Sequence, residues 1–235
     1  MLKTLTSRLF GGSCFLCRGG TQHILCDRCN ADLPRLPPQL CPRCALASPE
    51  GATCGRCLAR APQFDATVAA LGYAFPADAL VHALKFRGDL ALAPFLGALL
   101  LERLPALREV DCVIPVPLSR RGLRERGYNQ AWELARRLAR RWRIAAEPNL
   151  LLRVRETPHQ LALAPERRVA NVRGAFAIEP LRLHEVRGRA VTVVDDVMTT
   201  GATVGEIARV LRHAGAARVD VWVVARTPRD DDAAH

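Results

Sequence analysis

The sequence predicts an α/β protein: a parallel sheet flanked by helices, preceded by a small N-terminal module organised by metal. Three observations predict it. Eight of the nine cysteines fall in four C-x-x-C pairs between Cys14 and Cys57. Beyond them, apolar runs of strand type alternate with segments of helical spacing, the signature of βα units. One of those runs leads into "VVDDVMTTGAT" (193–203), two adjacent aspartates and a loop of small residues directly before a helix.

Composition sets the frame. The chain has 235 residues, 49% of them hydrophobic, enough for one ordinary domain plus a small appendage. No apolar run approaches the ~18 residues that span a bilayer. The opening "MLKTLTSRLFGG" has no long apolar stretch of the kind a signal peptide needs, so a cytoplasmic protein is expected. The formal net charge of +11 suggests polyanionic partners such as phosphorylated metabolites or nucleic acid; an arginine-rich solvated surface accounts for it equally well.

The cysteine pairs come first in the chain: "CFLC" (Cys14, Cys17), "CDRC" (Cys26, Cys29), "CPRC" (Cys41, Cys44) and "CGRC" (Cys54, Cys57). Within each pair one tight turn aims two sulfurs at a single tetrahedral metal, and two pairs complete a four-cysteine zinc site. The simplest arrangement is sequential, Cys14/Cys17/Cys26/Cys29 and Cys41/Cys44/Cys54/Cys57; an interleaved one closes longer loops. A disulfide framework suits an oxidising compartment, which nothing here indicates. With all four positions filled by sulfur, both Zn2+ ions are structural, and they supply much of the folding free energy of a segment poor in large apolar residues. The ninth cysteine, Cys112 in "VDCVIPVP", reads as a small core residue.

The α/β region follows. "ATVAALGYAF" (66–75) reads as a strand, "PADALVHALKF" as a helix with Leu80, Val81 and Leu84 on one side, and "LALAPFLGALLLERL" as a second helix. "VDCVIPVP" is a buried strand. "AWELARRLARRW" is the clearest helix, with Ala131, Leu134, Ala135, Leu138 and Trp142 on one face and Arg136, Arg137, Arg140 and Arg141 on the other. "AVTVV" (190–194) is an apolar run of the kind found in central parallel strands. The helix after it turns Val204, Ile207, Ala208 and Leu211 inward and stops near Gly215. "VDVWVVAR" (219–226) is a last strand. The domain limits are set at 1–62 for the zinc module, 63–228 for the α/β domain, and 229–235 for a disordered tail.

In such sheets ligands bind beyond the carboxyl ends of strands, where "VVDDVMTTGAT" lies. Side chains alternate along a strand, so Asp195 and Asp196 serve one ligand only if the strand stops there; it is expected to end near Val194 or Asp195, and the helix to begin near Ala202 or Thr203. Successive N–H groups, small hydroxyls, a glycine and a helix N-terminus make "TTGAT" an anion cradle. Carboxylates are poor phosphate ligands and good diol ligands. The pair of features points to a phosphosugar, against the plainer reading of a strand–turn–helix with an aspartate cap.

The string resembles the type I phosphoribosyltransferase signature, the loop that holds 5-phosphoribosyl-1-diphosphate (PRPP). The resemblance implies that Asp195 and Asp196 hold the ribose hydroxyls while Thr199, Thr200, Gly201, Ala202 and Thr203 hold the 5-phosphate. "VIPVPLSRRG" resembles that family's pyrophosphate loop, with Ser119, Arg120 and Arg121 near the leaving group. "RVRETPHQ" (153–160), with Arg153 and Arg155, resembles its flexible loop. The cysteine pairs together with "LVHALKFRGD", "RERGYNQ", "RETPHQ" and the opening loop are similar to the ComF family, over nearly the whole chain. That resemblance implies a double zinc ribbon on a phosphoribosyltransferase-like domain, PRPP bound with Mg2+, and a role in competence, natural transformation or DNA utilisation by handling internalised single-stranded DNA beside other DNA-uptake proteins.

Two functions fit. One is a phosphoribosyltransferase whose acceptor the sequence does not name, with Lys85, Arg87, Arg120, Arg121, Arg153 and Arg155 as cations for the leaving group. The other is a non-catalytic PRPP-sensing or single-stranded-DNA-binding accessory protein. Lys85, in "LKFRG", reads as the basic end of a helix before Gly88, while the family resemblance implies equally a catalytic role for it, as for Asp195 and Asp196.

Overall fold

The computed structural model describes residues 12–104, 110–156 and 170–228. Its centre is a five-stranded sheet in the order β3-β9-β8-β4-β5, parallel throughout. Before it come β1 (Gly12–Ser13), β2 (Gly20–Thr21), α1 (Asp27–Ala31) and α2 (Gly55–Ala59) of the cysteine module. The sheet strands are β3 (Ala66–Gly72), β4 (Cys112–Pro115), β5 (Ala145–Ala146), β8 (Ala190–Met198) and β9 (Arg218–Arg226). Its helices are α3 (Ala77–His82), α4 (Leu92–Arg103), α5 (Arg120–Arg126), α6 (Gln130–Trp142) and α7 (Ala202–His213), and β6 (Leu151–Arg153) with β7 (Phe176–Ile178) forms a separate antiparallel pair.

Strand alternation builds two cores. Val113, Val194, Trp222 and Val224 face Leu80, Leu96, Leu100, Leu134 and Leu138 of α3, α4 and α6. Ile114, Val193, Val221 and Val223 face the opposite way, onto Ile207, Ala208 and Leu211 of α7. The α6 stripe lies inward as its spacing predicts, and Asn129 caps it, its side-chain oxygen accepting from the Ala131 amide at 2.9 Å. Trp142 packs edge-on against Trp222 with ring centroids 5.0 Å apart. Cys112 is fully buried in the core, where desolvation pushes its thiol up to about 11.

The cysteines assemble in sequential groups, Cys14/Cys17/Cys26/Cys29 and Cys41/Cys44/Cys54/Cys57, with the ligand atoms of each group within 4.8 Å of one another. Sulfurs 3.7 Å apart in Cys17/Cys26 and in Cys44/Cys54 match the ~3.8 Å edge of a tetrahedron with ~2.3 Å Zn–S bonds. The Cys26 amide donates to Cys14 Sγ at 3.4 Å, and the Cys54 amide to Cys41 Sγ at 3.3 Å. The first of these bonds holds the Cys14 thiol down at about 6, in favour of the thiolate that zinc needs.

The module lies along the free edge of β3. Gly72 N–H donates to the Pro34 carbonyl at 2.7 Å, Thr67 N–H to that of Pro42 at 3.0 Å, and Arg35 bridges antiparallel to Leu71.

Two expectations are corrected. β8 does not end at Val194 or Asp195; it runs to Met198. Its two edges explain why. β9 is equally long and pairs with β8 as far as Met198↔Arg226, whereas β4 leaves at Pro115, opposite Val194. The ladder therefore continues on one side while the other opens into a crevice. The basic stretch after β4, expected by resemblance to be a pyrophosphate loop, runs into helix α5, with Ser119 as its cap accepting from the Gly122 amide at 3.1 Å. Helix α7 begins at Ala202, as expected. The tail 229–235 and Thr157–Gln160 of "RVRETPHQ" lie outside the described residues.

Candidate functional site

The crevice beside β8 is a cavity of about 550 Å3. Lys85, Ser119, Arg121, Arg153, Asp195, Asp196, Thr199 and Thr203 all line it. These residues come from separate parts of the chain, gathered where β3, β4 and β8 end.

Asp196 is almost fully buried and Asp195 less so. Although the strand continues, both line the cavity, because the Asp195 side chain folds back and accepts from the Asp196 amide at 2.9 Å. Burial and the neighbouring Asp196 charge push the Asp195 carboxyl up to about 8, against the pull of Lys85.

Lys85 Nζ lies 3.0 Å from each carboxylate oxygen of Asp196. Burial alone would depress this ammonium; the carboxylates of Asp196 and Asp195 outweigh it and hold Lys85 above its ordinary range. Lys85 sits in a π-helical turn, Ala83–Arg87, that ends on Gly88 in the left-handed region at φ 72°. Such wide turns re-aim side chains that a regular helix would send elsewhere. Tyr128, in "RERGYNQ", donates its hydroxyl to the Leu84 carbonyl and braces this turn.

Between Met198 and α7 the chain turns through Thr199, Thr200 and Gly201. Gly201 has φ 81°, and a Cβ there would lie 2.9 Å from Met198 Cε. The Thr200 hydroxyl accepts from the Ala202 amide at 3.3 Å.

Not every expected residue joins the site. Arg120 lines a neighbouring cavity of about 920 Å3 across the 117–119 loop. Arg155 is turned away, donating to the carbonyls of Asn171 and Arg173 at 2.9 and 2.6 Å. Thr200, Gly201 and Ala202 form the backbone between the lining threonines, and their side chains do not line the cavity. Arg153 lines both cavities, with burial lowering its pKa.

Several lining residues carried no assignment in the sequence: Tyr73, Gln130, Glu156, and Arg126, whose guanidinium lies 4.9 Å over the Phe86 ring. Their segments were singled out in part, but the side chains were not. The carboxylates of Asp195, Asp196 and Glu156 are hard oxygen donors of the type a Mg2+ ion accepts. In chemical terms the cavity offers acidic acceptors at one wall, guanidinium groups at another, and a loop of backbone amides with a helix N-terminus behind it.

A double zinc ribbon domain matches residues 5–58, and a phosphoribosyl transferase domain matches residues 122–233. The chain is 37% identical over 226 residues to the DNA utilization protein YhgH of Escherichia coli K12, covering 92% of this chain and 97% of that protein. It is 33% identical over 228 residues to Competence protein F of Haemophilus influenzae, covering 92% and 98%. Among solved structures, a glutamine PRPP amidotransferase from B. subtilis matches 56% of this chain at 25% identity and a TM-score of 0.38, and the match spans 25% of that structure's chain.

Proposed function

The chain belongs to the ComF family of double-zinc-ribbon, phosphoribosyltransferase-like proteins, and from that premise we propose that it binds PRPP at the β8 crevice and transfers its phosphoribosyl group during the handling of internalised single-stranded DNA. What carries the reading is one convergence: Asp195, Asp196, Lys85, Arg121, Arg153 and the Thr199–Thr203 loop border a single cavity of about 550 Å3.

The division of labour follows from the chemistry. Asp195 and Asp196 accept hydrogen bonds from the vicinal ribose hydroxyls, with Lys85 paired to the buried Asp196 side chain. The Thr199–Thr203 loop takes the 5-phosphate on its amides and hydroxyls. Ser119, Arg121 and Arg153 face the diphosphate. Mg2+ bound with PRPP would offset the diphosphate charge, and Asp195, Asp196 and Glu156 are the lining oxygen donors that would hold it. In the transfer, the C1–O bond to the diphosphate breaks and its electron pair departs with pyrophosphate. A lone pair of the acceptor forms the new bond to C1, and the acceptor gives up a proton. Guanidinium groups held at the leaving oxygens favour the charge that develops there.

A second reading, a non-catalytic PRPP sensor or single-strand binder, draws on one surface feature. Arg18 and Arg87 flank the Phe15 ring at 5.9 and 5.5 Å, and Arg126 covers the half-exposed Phe86. Cations interleaved with aromatic faces suit a single-stranded nucleic acid approaching the cavity mouth.

Calorimetric titration of Mg2+–PRPP tests the common core of both readings. The wild type is expected to bind, and Asp195→Asn/Asp196→Asn to bind at least tenfold more weakly; a wild type that does not bind removes both the transferase and the sensor. Pyrophosphate release in the presence of candidate acceptors, single-stranded DNA among them, separates a transferase from a binder.

A further inference from the structure

Arg226, the last residue of β9, is 3% exposed. Its Nε donates to the carbonyl of Cys44, inside the second cysteine cluster, at 2.9 Å. Its Nη1 donates to the carbonyls of Met198 at 2.9 Å, of Thr227 at 3.0 Å, and of Thr199. One buried guanidinium thus joins the second zinc ribbon to the end of β8 and the first residue of the anion-binding loop.

The effect on the loop follows from the peptide group. In a trans peptide the C=O of one residue and the N–H of the next point in opposite directions; among the described residues the only cis bond is Phe75–Pro76. Pinning the Met198 and Thr199 carbonyls to Arg226 therefore aims the Thr199 and Thr200 amides away from it, to the open side of the loop. Without this anchor the Thr199–Thr200 peptide is free to rotate, while the Met198 carbonyl keeps only the Thr227 amide at 3.0 Å, and a phosphate would meet the Thr199 carbonyl dipole in place of the Thr200 N–H. The ribbon supports the far end of the loop as well. Arg43 of the same ribbon donates to the Phe64 carbonyl at 3.3 Å, and the Phe64 ring lies 3.9 Å from where a Gly201 Cβ would stand.

We propose that Arg226 is a positioning residue for the 5-phosphate cradle, and that through it the second zinc ribbon, but not an isolated α/β domain, sets the cradle's amide orientation. The proposal rests on the PRPP reading for the identity of the ligand; the orientation of the loop can be tested without it.

Three variants decide the matter. Arg226→Met removes the anchor. Cys57→Ser removes one ligand of the second zinc while leaving Arg226 in place. Arg212→Met is the control: it breaks the ion pair with Asp65 at the other end of β9. Two ligands are titrated into each, ribose 5-phosphate, which needs the cradle, and Mg2+–pyrophosphate, which does not. Arg226→Met and Cys57→Ser are expected to lose tenfold or more for ribose 5-phosphate and to stay within twofold for pyrophosphate, with zinc content falling by one equivalent in Cys57→Ser alone. Equal losses for both ligands, or no loss for either, overturn the proposal. Hydrogen exchange of Thr227, whose amide also donates to the Met198 carbonyl at 3.0 Å, and of residues 198–205 gives an answer free of ligand. Protection should fall in the first two variants and persist in Arg212→Met. If the wild type binds neither ligand, the PRPP reading fails, and the exchange result alone upholds or overturns the role of Arg226. If Arg226→Met does not fold, Cys57→Ser carries the same test.

Discussion

The ammonium of Lys85 sits 3.0 Å from both carboxylate oxygens of Asp196, across 111 residues of sequence. The carboxylate is buried and the ammonium is only a quarter exposed, so the two form a largely desolvated ion pair. Truncating one partner of such a pair leaves an uncompensated charge. Lys85→Met is expected to cost about 3 kcal/mol in urea unfolding, and Lys85→Met/Asp196→Asn to recover most of that loss. A double variant no more stable than the single one would show that the pair is incidental.

The raised Asp195 carboxyl makes stability depend on pH. Its folded value is about 8, against about 4 unfolded, so between those values the folded chain holds the proton that the unfolded chain has lost. Its contribution to stability is complete below about pH 4 and disappears as pH rises through about 8. Asp195→Asn keeps the neutral form at every pH. Relative to wild type, its melting temperature should therefore rise more at pH 8 than at pH 6, by the equivalent of about 2.5 kcal/mol. Parallel curves for the two proteins over this range would refute the shift.

Two glycines four residues apart, Gly201 and Gly205, should respond in opposite directions. Gly201→Ala meets both a left-handed φ and the Met198 methyl 2.9 Å away; a loss of about 1–2 kcal/mol is expected, with weaker PRPP binding. Gly205, within α7, has open space around its Cβ position. Gly205→Ala should gain about 0.5–1 kcal/mol from helix propensity. Thermal unfolding of both variants checks the pair.

Metal analysis should return two zinc ions per chain. A competing chelator should unfold the ribbon region first, seen as loss of exchange protection in residues 12–59 before the sheet.

If single-stranded DNA approaches along the aromatic and cationic surface, Phe86→Ala should weaken oligonucleotide binding by about 1–3 kcal/mol. Arg126→Ala should weaken it too and reduce its dependence on salt. Fluorescence anisotropy at several salt concentrations reads both effects.

How far the sequence could be read depended on whether a feature was local. Helix α6 was legible because Ala131, Leu134, Ala135 and Leu138 repeat along one buried face. Helix α5 was not: it has no buried residue, its Leu123 is half exposed, and only the Ser119 cap and the Gly127 stop define it. The zinc clusters were legible down to their grouping, since both the ligands and their spacing are in the string. The start of α7 at Ala202 was legible for the same reason. The end of β8 was not, because it depends on how far two other strands travel beside it. Lys85 was a candidate with two readings, and only the fold brings it to Asp196. Arg226 left a fainter trace, a cation closing an apolar strand. Its partners are backbone carbonyls, which have no signature in sequence.

The ribbon segment along β3 has a consequence of a different kind. An outer strand of a parallel sheet is an open template, ready to pair with any extended chain it meets. Here that template is occupied by Pro34, Arg35 and Pro42, and two of the three are prolines, which cannot extend the ladder further. The cysteine module is thus a clasp on the sheet's outer edge. A chain stripped of its metal by oxidants would lose the clasp and present that edge to its neighbours, so that zinc depletion in this protein should appear first as polymerisation and turbidity, ahead of any loss of helical signal.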